Sequence, residues 1–334
     1  MTISRTILVT GVGGGVGQSI CKSLQGSGYR VIGADAGREA AGLYAVDVAR
    51  MVPSTQSPDY LDRILDICRE ESVSLAFPGL EPDLFAFSAG AARLREAGIV
   101  PVVSTPDIIK TCDDKLLTAR FLEKNGFPAP RTVALAGHAL PDLPLPFILK
   151  PKTGGARSIG VFVIRERDDF DYRVHKLDPD NYIAQELIEG PEYTCGTVNF
   201  DGKCHGTIVM RRTLRDGDTY KAFVEEDPEL SAYLVRVAEA LRPFGACNFQ
   251  LRKQAGVPYI FEINARCSGT TGARTLAGFN EPKMIADHLL SGIAPSYEIR
   301  KIAILRYWKE LVVDPARMDT LSTEGRIEGD GSRL

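Results

Sequence analysis

The sequence predicts an α/β region built on a parallel sheet, followed by α+β regions made of hairpins and helices. Three stretches carry that prediction. ILVTGVGGGVGQSICKSL reads as a buried strand, a glycine-rich turn and a helix, and YRVIGADA supplies the next strand, which together open a βαβ unit. LPFILKPKTGGARSIGVFVI reads as two strands about a turn rich in Gly and Ser. NFQLRKQAGVPYIFEINARCSG, from Asn248 to Gly269, reads as a hairpin turning at Gln254, Ala255 and Gly256.

The chain has 334 residues, 44% of them hydrophobic, which is enough for two domains and a real core. A formal net charge of −3 gives no long-range attraction to nucleic acid or an anionic membrane. Seven cysteines (Cys21, Cys68, Cys112, Cys195, Cys204, Cys247, Cys267) form no C-x-x-C pair, and the four histidines add no zinc spacing. Reduced thiols in a cytoplasm are the expectation. No apolar run is long enough to span a bilayer, and MTISRTILVTG enters a strand without a signal-peptide pattern.

In the N-terminal region, Gly11, Gly14 and Gly17 are spaced G-x-x-G-x-x-G, and Asp35 ends the second strand. That pattern fits a dinucleotide site, with the acid on a ribose. It equally fits glycines that only let a helix pack closely on a strand. The first reading makes the protein an NAD(P)-dependent short-chain reductase or epimerase, for which Tyr172 and Lys176, with Ser158 upstream, supply the letters of a Y-x-x-x-K pair. Tyr172 lies in the charged run RERDDFDYRVHKLDPD and Ser158 in a glycine-rich turn, so that match reads as accidental. Helix and strand patterns then alternate to about Pro101, giving an open parallel sheet. Ligands of such sheets sit beyond the carboxyl ends of the strands, which makes Glu81, just after Pro78-Gly79-Leu80, a candidate substrate contact.

In the middle region a helix starts near Asp113 and is stopped by Asn125-Gly126. Lys115 sits in its first turn, the wrong end for the helix dipole, and so calls for an anionic partner unless it merely pairs with Asp113 or Asp114. Lys150-Pro151 ends a strand before Gly154, Gly155, Ser158 and Gly160. A lysine beside a glycine loop suits phosphate, although a strand rather than a helix follows, so this is no Walker loop. The segment Gln185, Glu186, Leu187, Ile188, Glu189, Gly190, Pro191, Glu192 offers an apolar wall and one fixed carboxylate, as an adenine and ribose would need.

In the hairpin, Phe249, Leu251, Phe261 and Ile263 alternate with Asn248, Gln250, Glu262, Asn264 and Arg266, giving one apolar and one polar face. Folding about Gly256 sets Gln250 opposite Glu262, with Asn264 on the same face. One carboxylate and two carboxamides suit a hard cation such as Mg²⁺; a solvated sheet face would carry the same residue types. Beyond it, RTLAGFNEPKMIADHLLSG reads as helical to Gly292, SYEIRKIAILRYWKELVVD as strands, and TEGRIEGDGSRL as a flexible end.

Taken in order, Lys115 with the later G-F-P-A-P, Lys150-Pro151 with its glycine loop, QELIEGPEYT, NFQLR and FEINAR resemble the ATP-grasp superfamily. N-F-Q and E-I-N-A-R are similar to the carbamoyl-phosphate synthase large subunit, and P-E-Y-T to D-alanine:D-alanine ligase. The resemblance implies a Rossmann-like pre-ATP-grasp domain over residues 1–108 and an ATP-grasp fold of two α+β subdomains, a small one over 109–184 and a large one over 185–320, with a flexible tail over 321–334. It implies ATP held by Lys115 and Lys150, a loop from Gly154 to Gly160 including Gly155 and Ser158, an adenine site at Gln185, Glu186, Leu187 and Ile188, and ribose on Glu192. Gln250, Glu262 and Asn264 would hold one or two Mg²⁺, or Mn²⁺, and Arg266 would act with Lys150 on the transferred phosphate. Gln185 and Gln250 stand where many members carry acids. Arg212, Arg215 and Lys221 lie in a segment that could cap the site, with at least one of them binding a substrate carboxylate, unless the segment is simply a solvated basic loop. The implied activity is a stand-alone ligase that activates a carboxylate as an acyl phosphate and passes it to an amine, with small molecules as partners and room for a homodimer.

Overall fold

The computed structural model describes residues 5–155 and 158–334. The chain opens with β1 (Thr6–Thr10), α1 (Gly15–Leu24), β2 (Arg30–Asp35), β3 (Val48–Met51), α2 (Tyr60–Glu70), β4 (Leu75–Phe77), α3 (Glu81–Ala89), α4 (Ala91–Glu96) and β5 (Val100–Pro101). Strand β1 pairs in parallel with both β2 and β4, so the order runs β3-β2-β1-β4-β5, the expected parallel sheet. Its faces are buried by two apolar sets, one including Ile7, Val9 and Ile20, the other Leu8, Ile64 and Phe87.

Next come α5 (Pro106–Asp113) and α6 (Lys115–Lys124), then β6 (Thr132–Ala134), β7 (Phe147–Pro151), β8 (Phe162–Ile164), α7 (Arg167–Val174) and β9 (Tyr182–Glu186). The four strands form an antiparallel sheet ordered β6-β9-β7-β8. Its core, Leu135, Leu143, Phe147, Leu149, Ile164, Phe170, Val174 and Ala184, is separate from the other apolar clusters. This small lobe begins later than residue 109: Cys112 and Leu122 are buried with Ile260 and Ile263 beneath the third sheet, so α5 and α6 belong to the large lobe. Strand β9 also carries the small lobe through Glu186 rather than to 184.

The third sheet comprises β10 (Glu192–Phe200), β11 (Lys203–Arg215), β12 (Asp218–Val224), β13 (Gly245–Gln254), β14 (Val257–Asn264) and β15 (Ala303–Leu305), in the order β14-β13-β10-β11-β12-β15. Helix α8 (Pro228–Leu241) covers one face, where Leu234 and Val237 meet Phe249 and Leu251. On the other face α9 (Thr271–Leu276) and α10 (Glu281–Ser291) lie against α1, and Ile208, Met210, Phe279 and Ile285 share one core with the N-terminal sheet. Asp227 and Asn280 cap α8 and α10 by accepting from Leu230 N and Lys283 N, as short polar side chains do at helix starts.

Two expectations for the C-terminal region are corrected. Of the stretch 296–314 only Ala303–Leu305 is strand, pairing with β12, and Tyr307 and Trp308 are exposed. Residues 321–334 are not a free tail. Helix α11 (Pro315–Glu324), capped by Asp314, leads through Gly325 into β16 (Arg326–Glu328), which adds antiparallel to β3. Leu321 is 0% exposed, and Arg326 joins the buried Glu71, so apolar burial and an ion pair outweigh the polar composition that suggested disorder. Leu321→Ala should therefore lower the unfolding free energy by about 2–5 kcal/mol in a urea titration, the range for a buried leucine; no change would mean that α11 is not docked in solution.

Candidate active site

The site lies where the small lobe meets the β13–β14 hairpin. Each lobe contributes one end of a hydrogen-bonded contact. Lys115 is the first residue of α6, whose start is capped by Asp114 accepting from Leu116 N and Leu117 N. Its Nζ donates to the Gly154 carbonyl at 2.7 Å, so the large lobe grips the glycine loop instead of pairing with Asp113 or Asp114. Ala156 and Arg157 of that loop lie outside the described residues. Gly155, Ser158 and Gly160 keep positive φ, the turn that the spacing predicted.

Lys150, on β7, is buried; its Nζ donates to Gln185 Oε1 at 2.8 Å and to the Phe261 carbonyl at 3.3 Å. Burial lowers its pKa to about 7, with Lys115 adding to the effect and Glu262 and Glu192 opposing it. Gln185 contributes to that environment, because its amide oxygen hydrogen-bonds the ammonium without neutralising it. The amide nitrogen of Gln185 donates to Thr132 Oγ1 at 2.8 Å. Glu186 accepts from Arg131 N at 3.1 Å, and Ile188 is buried beside the half-buried Leu187.

In the hairpin, β13 and β14 pair with Gln250 opposite Glu262 and Asn248 opposite Asn264, the predicted register. A shift after Gln250 sets Leu251 against Ile260, so Ile260 rather than Phe261 enters the core, and the Phe261 ring lies 5.5 Å below the Lys150 ammonium. Asn264 Nδ2 donates to Glu262 Oε1 at 2.9 Å, Arg266 Nη2 donates to Asn264 Oδ1 at 3.0 Å, and Arg266 Nη1 donates to the Cys267 carbonyl. Burial acts to raise the Glu262 pKa, but Lys115, the Asn264 hydrogen bond, Lys150 and Arg266 outweigh it and hold the group below its ordinary value.

Glu192 accepts from two arginines. Its Oε1 takes Arg212 Nε and Nη2 at 2.9 and 2.7 Å, and its Oε2 takes Arg252 Nη2 at 2.8 Å. Arg212 Nη2 also donates to Gln250 Oε1 at 2.8 Å. Arg212 is therefore a buried member of the site and not part of an exposed cap. Arg215 is not brought in: it is exposed at the β11–β12 turn, over Tyr220. Lys221 is exposed on the strand after that turn, next to Tyr220. Glu81, first in α3, lies with Asp113, Asn264 and Arg266 around a small recess. Its pKa is raised by burial and by a hydrogen bond to Asp113, with Arg266 and Lys115 opposing.

The sequence reading missed Arg252 and a fully buried pair, Arg274 with Glu281 at 2.7 Å. Arg274 Nη2 reaches Thr194 at 3.2 Å and also Asn248, so it backs the polar row of β13. Asn248 carried a signal, since it continues the alternation of Gln250; Arg274 sits in a helix far along the chain and carried none.

The glycine turn at 11–17 is taken up by packing. A Cβ on Gly17 would lie 2.3 Å from the Gly11 carbonyl oxygen, and one on Gly79 would lie 2.0 Å from that of Thr10. Asp35 turns back to accept from Gly13 N at 2.8 Å and Gly37 N at 3.0 Å. Tyr172 on α7 and Lys176, just beyond its end, hydrogen-bond each other in the small lobe, away from the glycine turn of β1 and α1. The reductase reading finds no support. Among the described residues no group of three or more His, Cys, Asp or Glu could hold a metal ion, all seven cysteines are free, and no helix is long and apolar enough to cross a membrane.

A parallel α/β sheet followed by two α+β lobes, with lysines from both lobes and a carboxylate–carboxamide pair at their junction, defines the ATP-grasp fold. Part of the chain, residues 178–310, is similar to an ATP-grasp family. The family described as ATP-grasp in the biosynthetic pathway with Ter operon matches residues 178–310, and the PylC-like N-terminal domain matches residues 7–103. D-alanine--D-alanine ligase of Delftia acidovorans is 30% identical over 185 residues, which cover 48% of this chain and 56% of that one. The carbamoyl phosphate synthase large chain of Pseudomonas putida is 22% identical over 326 residues, covering 84% of this chain and 30% of that one. The chain thus spans about half the length of the first ligase and under a third of the synthase. Among solved structures, N5-carboxyaminoimidazole synthetase from Staphylococcus aureus complexed with ADP superposes with a TM-score of 0.72 at 16% identity, over 100% of this chain and 92% of that one.

Because Lys150 titrates near pH 7, an anionic ligand beside it should restore its charge. Binding of ADP at pH 8 should therefore take up protons, measurable by calorimetry in buffers of different ionisation enthalpy, and affinity should fall as pH rises past 7 by up to about tenfold per unit. Lys150→Met should abolish the uptake; identical uptake in that variant would assign the proton to another group.

Proposed function

We propose that this chain is an ATP-dependent carboxylate–amine ligase that activates a carboxylate as an acyl phosphate and transfers the acyl group to an amine, with an amino acid as one substrate. The observation that carries the reading is the convergence, at the junction of the lobes, of Lys150 from the small lobe with Lys115, Glu262, Asn264 and Arg266 from the large one. The matches to a D-alanine--D-alanine ligase and to a carbamoyl phosphate synthase agree with it.

In this reading Lys115 and Lys150 bind the phosphates, Gly154, Gly155, Ser158 and Gly160 cover them, and Gln185, Glu186, Leu187 and Ile188 line the adenine. Glu192, held by Arg212 and Arg252, orients those arginines as much as it offers an acceptor to ribose. The donor set fits a divalent cation: Glu262 is kept ionised and the Asn264 carbonyl keeps a second lone pair. Bound there, Mg²⁺ or Mn²⁺ would supply neutralisation of phosphate charge. A substrate carboxylate oxygen attacks the γ-phosphorus, ADP leaves, and Lys150 and Arg266 stabilise the charge that develops on the phosphoryl oxygens. The amine nitrogen then attacks the acyl carbon, the C–O bond to phosphate breaks and a proton is released. The closed lobes keep water from the acyl phosphate. Glu81, which shares a recess with Arg266, meets a substrate in this reading.

The test is release of ADP and phosphate in the presence of Mg²⁺, with amino acids supplied singly and in pairs and products read by mass spectrometry. A product equal in mass to two substrates less water establishes the ligase; hydrolysis without any condensed product would refute it. Glu262→Gln should reduce turnover by at least about 10²-fold, of the order seen when one preorganised electrostatic group is removed, with the circular dichroism spectrum unchanged. Full activity in that variant would remove Glu262 from the metal site.

A further inference from the structure

We propose that Arg306, with Lys22 and Lys309 beside it, holds an oxyanionic group, a carboxylate or a phosphate, that one of the substrates carries in addition to its reacting group. The proposal rests on the ligase reading for the role of that substrate. Arg306 follows β15, and its guanidinium is tethered by two backbone carbonyls: Nη1 donates to that of Thr219 and Nη2 to that of Gly269, each at 3.2 Å. Both acceptors adjoin the candidate active site. Thr219 Oγ1 takes the Arg212 guanidinium at 3.4 Å, and Gly269 stands three residues beyond Arg266. Two N–H bonds of Arg306 are used in this way, and the others remain for a ligand.

The Gly269 carbonyl also accepts from Ser19 Oγ at 3.0 Å, which brings α1 to the same point. Lys22 lies one turn on from Ser19, and its stem packs at the start of α9, where a Cβ on Gly272 would lie 3.6 Å from that of Lys22. Lys309 donates to the Arg333 carbonyl at 3.3 Å. Partial burial lowers the Lys22 pKa, and the charges of Arg306 and Lys309 lower it further, so the three cations share one patch. Among the described residues none of the three forms an ion pair. Glu310, the acid next to Lys309 in the chain, leaves the patch with a positive surplus. Like charges crowded together cost free energy until an anion joins them. This is no by-product of a basic chain, since the sequence holds 43 acidic residues against 40 Lys and Arg. A tethered guanidinium has little freedom left to lose, which favours a fixed contact with an oxyanion. Plain monocarboxylates and unsubstituted amines lack this second handle, so a preference for acidic or phosphorylated amino acids follows.

Trp308, the single tryptophan of the chain, is 92% exposed and lies between Arg306 and Lys309 in sequence, so its emission reports on the patch without any turnover. The chain is titrated with L-glutamate and O-phosphoserine, and with glutamine and serine as their neutral counterparts, by Trp308 fluorescence and by calorimetry. At least one anion should bind about tenfold more tightly than its neutral counterpart, and the tighter of the two identifies the group held as carboxylate or phosphate. Arg306→Met should remove that advantage. Because this change also breaks two bonds to the main chain, Lys22→Met is measured as well: Lys22 lies at the surface of α1, and its loss should weaken the anion about threefold with the fold intact. Equal affinity for anions and neutral counterparts, or an advantage that survives both substitutions, would overturn the proposal. Arg306-dependent binding with no release of ADP from MgATP, when the same anion and a range of amines are supplied, would keep the anion site and count against the ligase reading instead.

Discussion

Between the lobes, Lys115, Lys150, Arg212, Arg252 and Arg266 face two carboxylates, Glu192 and Glu262, while Glu81 is tied to Asp113 by a hydrogen bond. Cations withdrawn from water without matching anions raise the energy of the fold, because desolvation is not repaid. The chain relieves this in two ways that both leave a mark. Lys150 drifts toward neutrality, and the remaining cations are given carbonyl and carboxamide oxygens, those of Gly154, Gln250, Asn264 and Cys267, which steady a charge without removing it. An anion entering the cleft completes the balance. A cleft with this surplus of positive charge favours a polyanionic ligand.

The same economy is absent a few ångströms deeper, where charge is matched one to one. Arg274 and Glu281 are both fully buried and paired, and the arginine reaches on to Thr194 and Asn248. A pair of this kind adds little to stability over an apolar replacement, but losing either partner strands a buried charge, at a typical cost of about 3–5 kcal/mol. Its role here is geometric. It pins α9 and α10 beneath β10 and β13, and so sets the strand from which Gln250 and Arg252 project.

Much of this was legible in the residues. Period-two alternation fixed which face of the hairpin is polar, and the turn at Gly256 then set Gln250 against Glu262. Glycine-rich turns, the helix start expected near Asp113 and the helix end at Gly292 marked the ends of elements through local backbone chemistry. What stayed hidden was non-local. Nothing near Phe261 announces the shift that exchanges it with Ile260, and nothing in RTLRDGDTYK distinguishes Arg212, which finds Glu192 across the strand pair, from Arg215, which faces solvent. The C-terminal residues misled for the opposite reason. Their composition is polar, yet Leu321 and one strand edge on β3 suffice to dock them.

The separate apolar core of the small lobe has an energetic corollary. A handful of side chains from Leu135 to Ala184 is a meagre core for a unit of that size, and such units open at lower free energy than the body that carries them. Lys115 and Lys150 cross to or from that lobe, so a ligand gripped by both bridges the two bodies. Anything that binds only the assembled arrangement stabilises it by mass action. Occupancy of the cleft and the local stability of the lobe are then two readings of one equilibrium: the lobe that covers the ligand owes part of its own order to the ligand it covers.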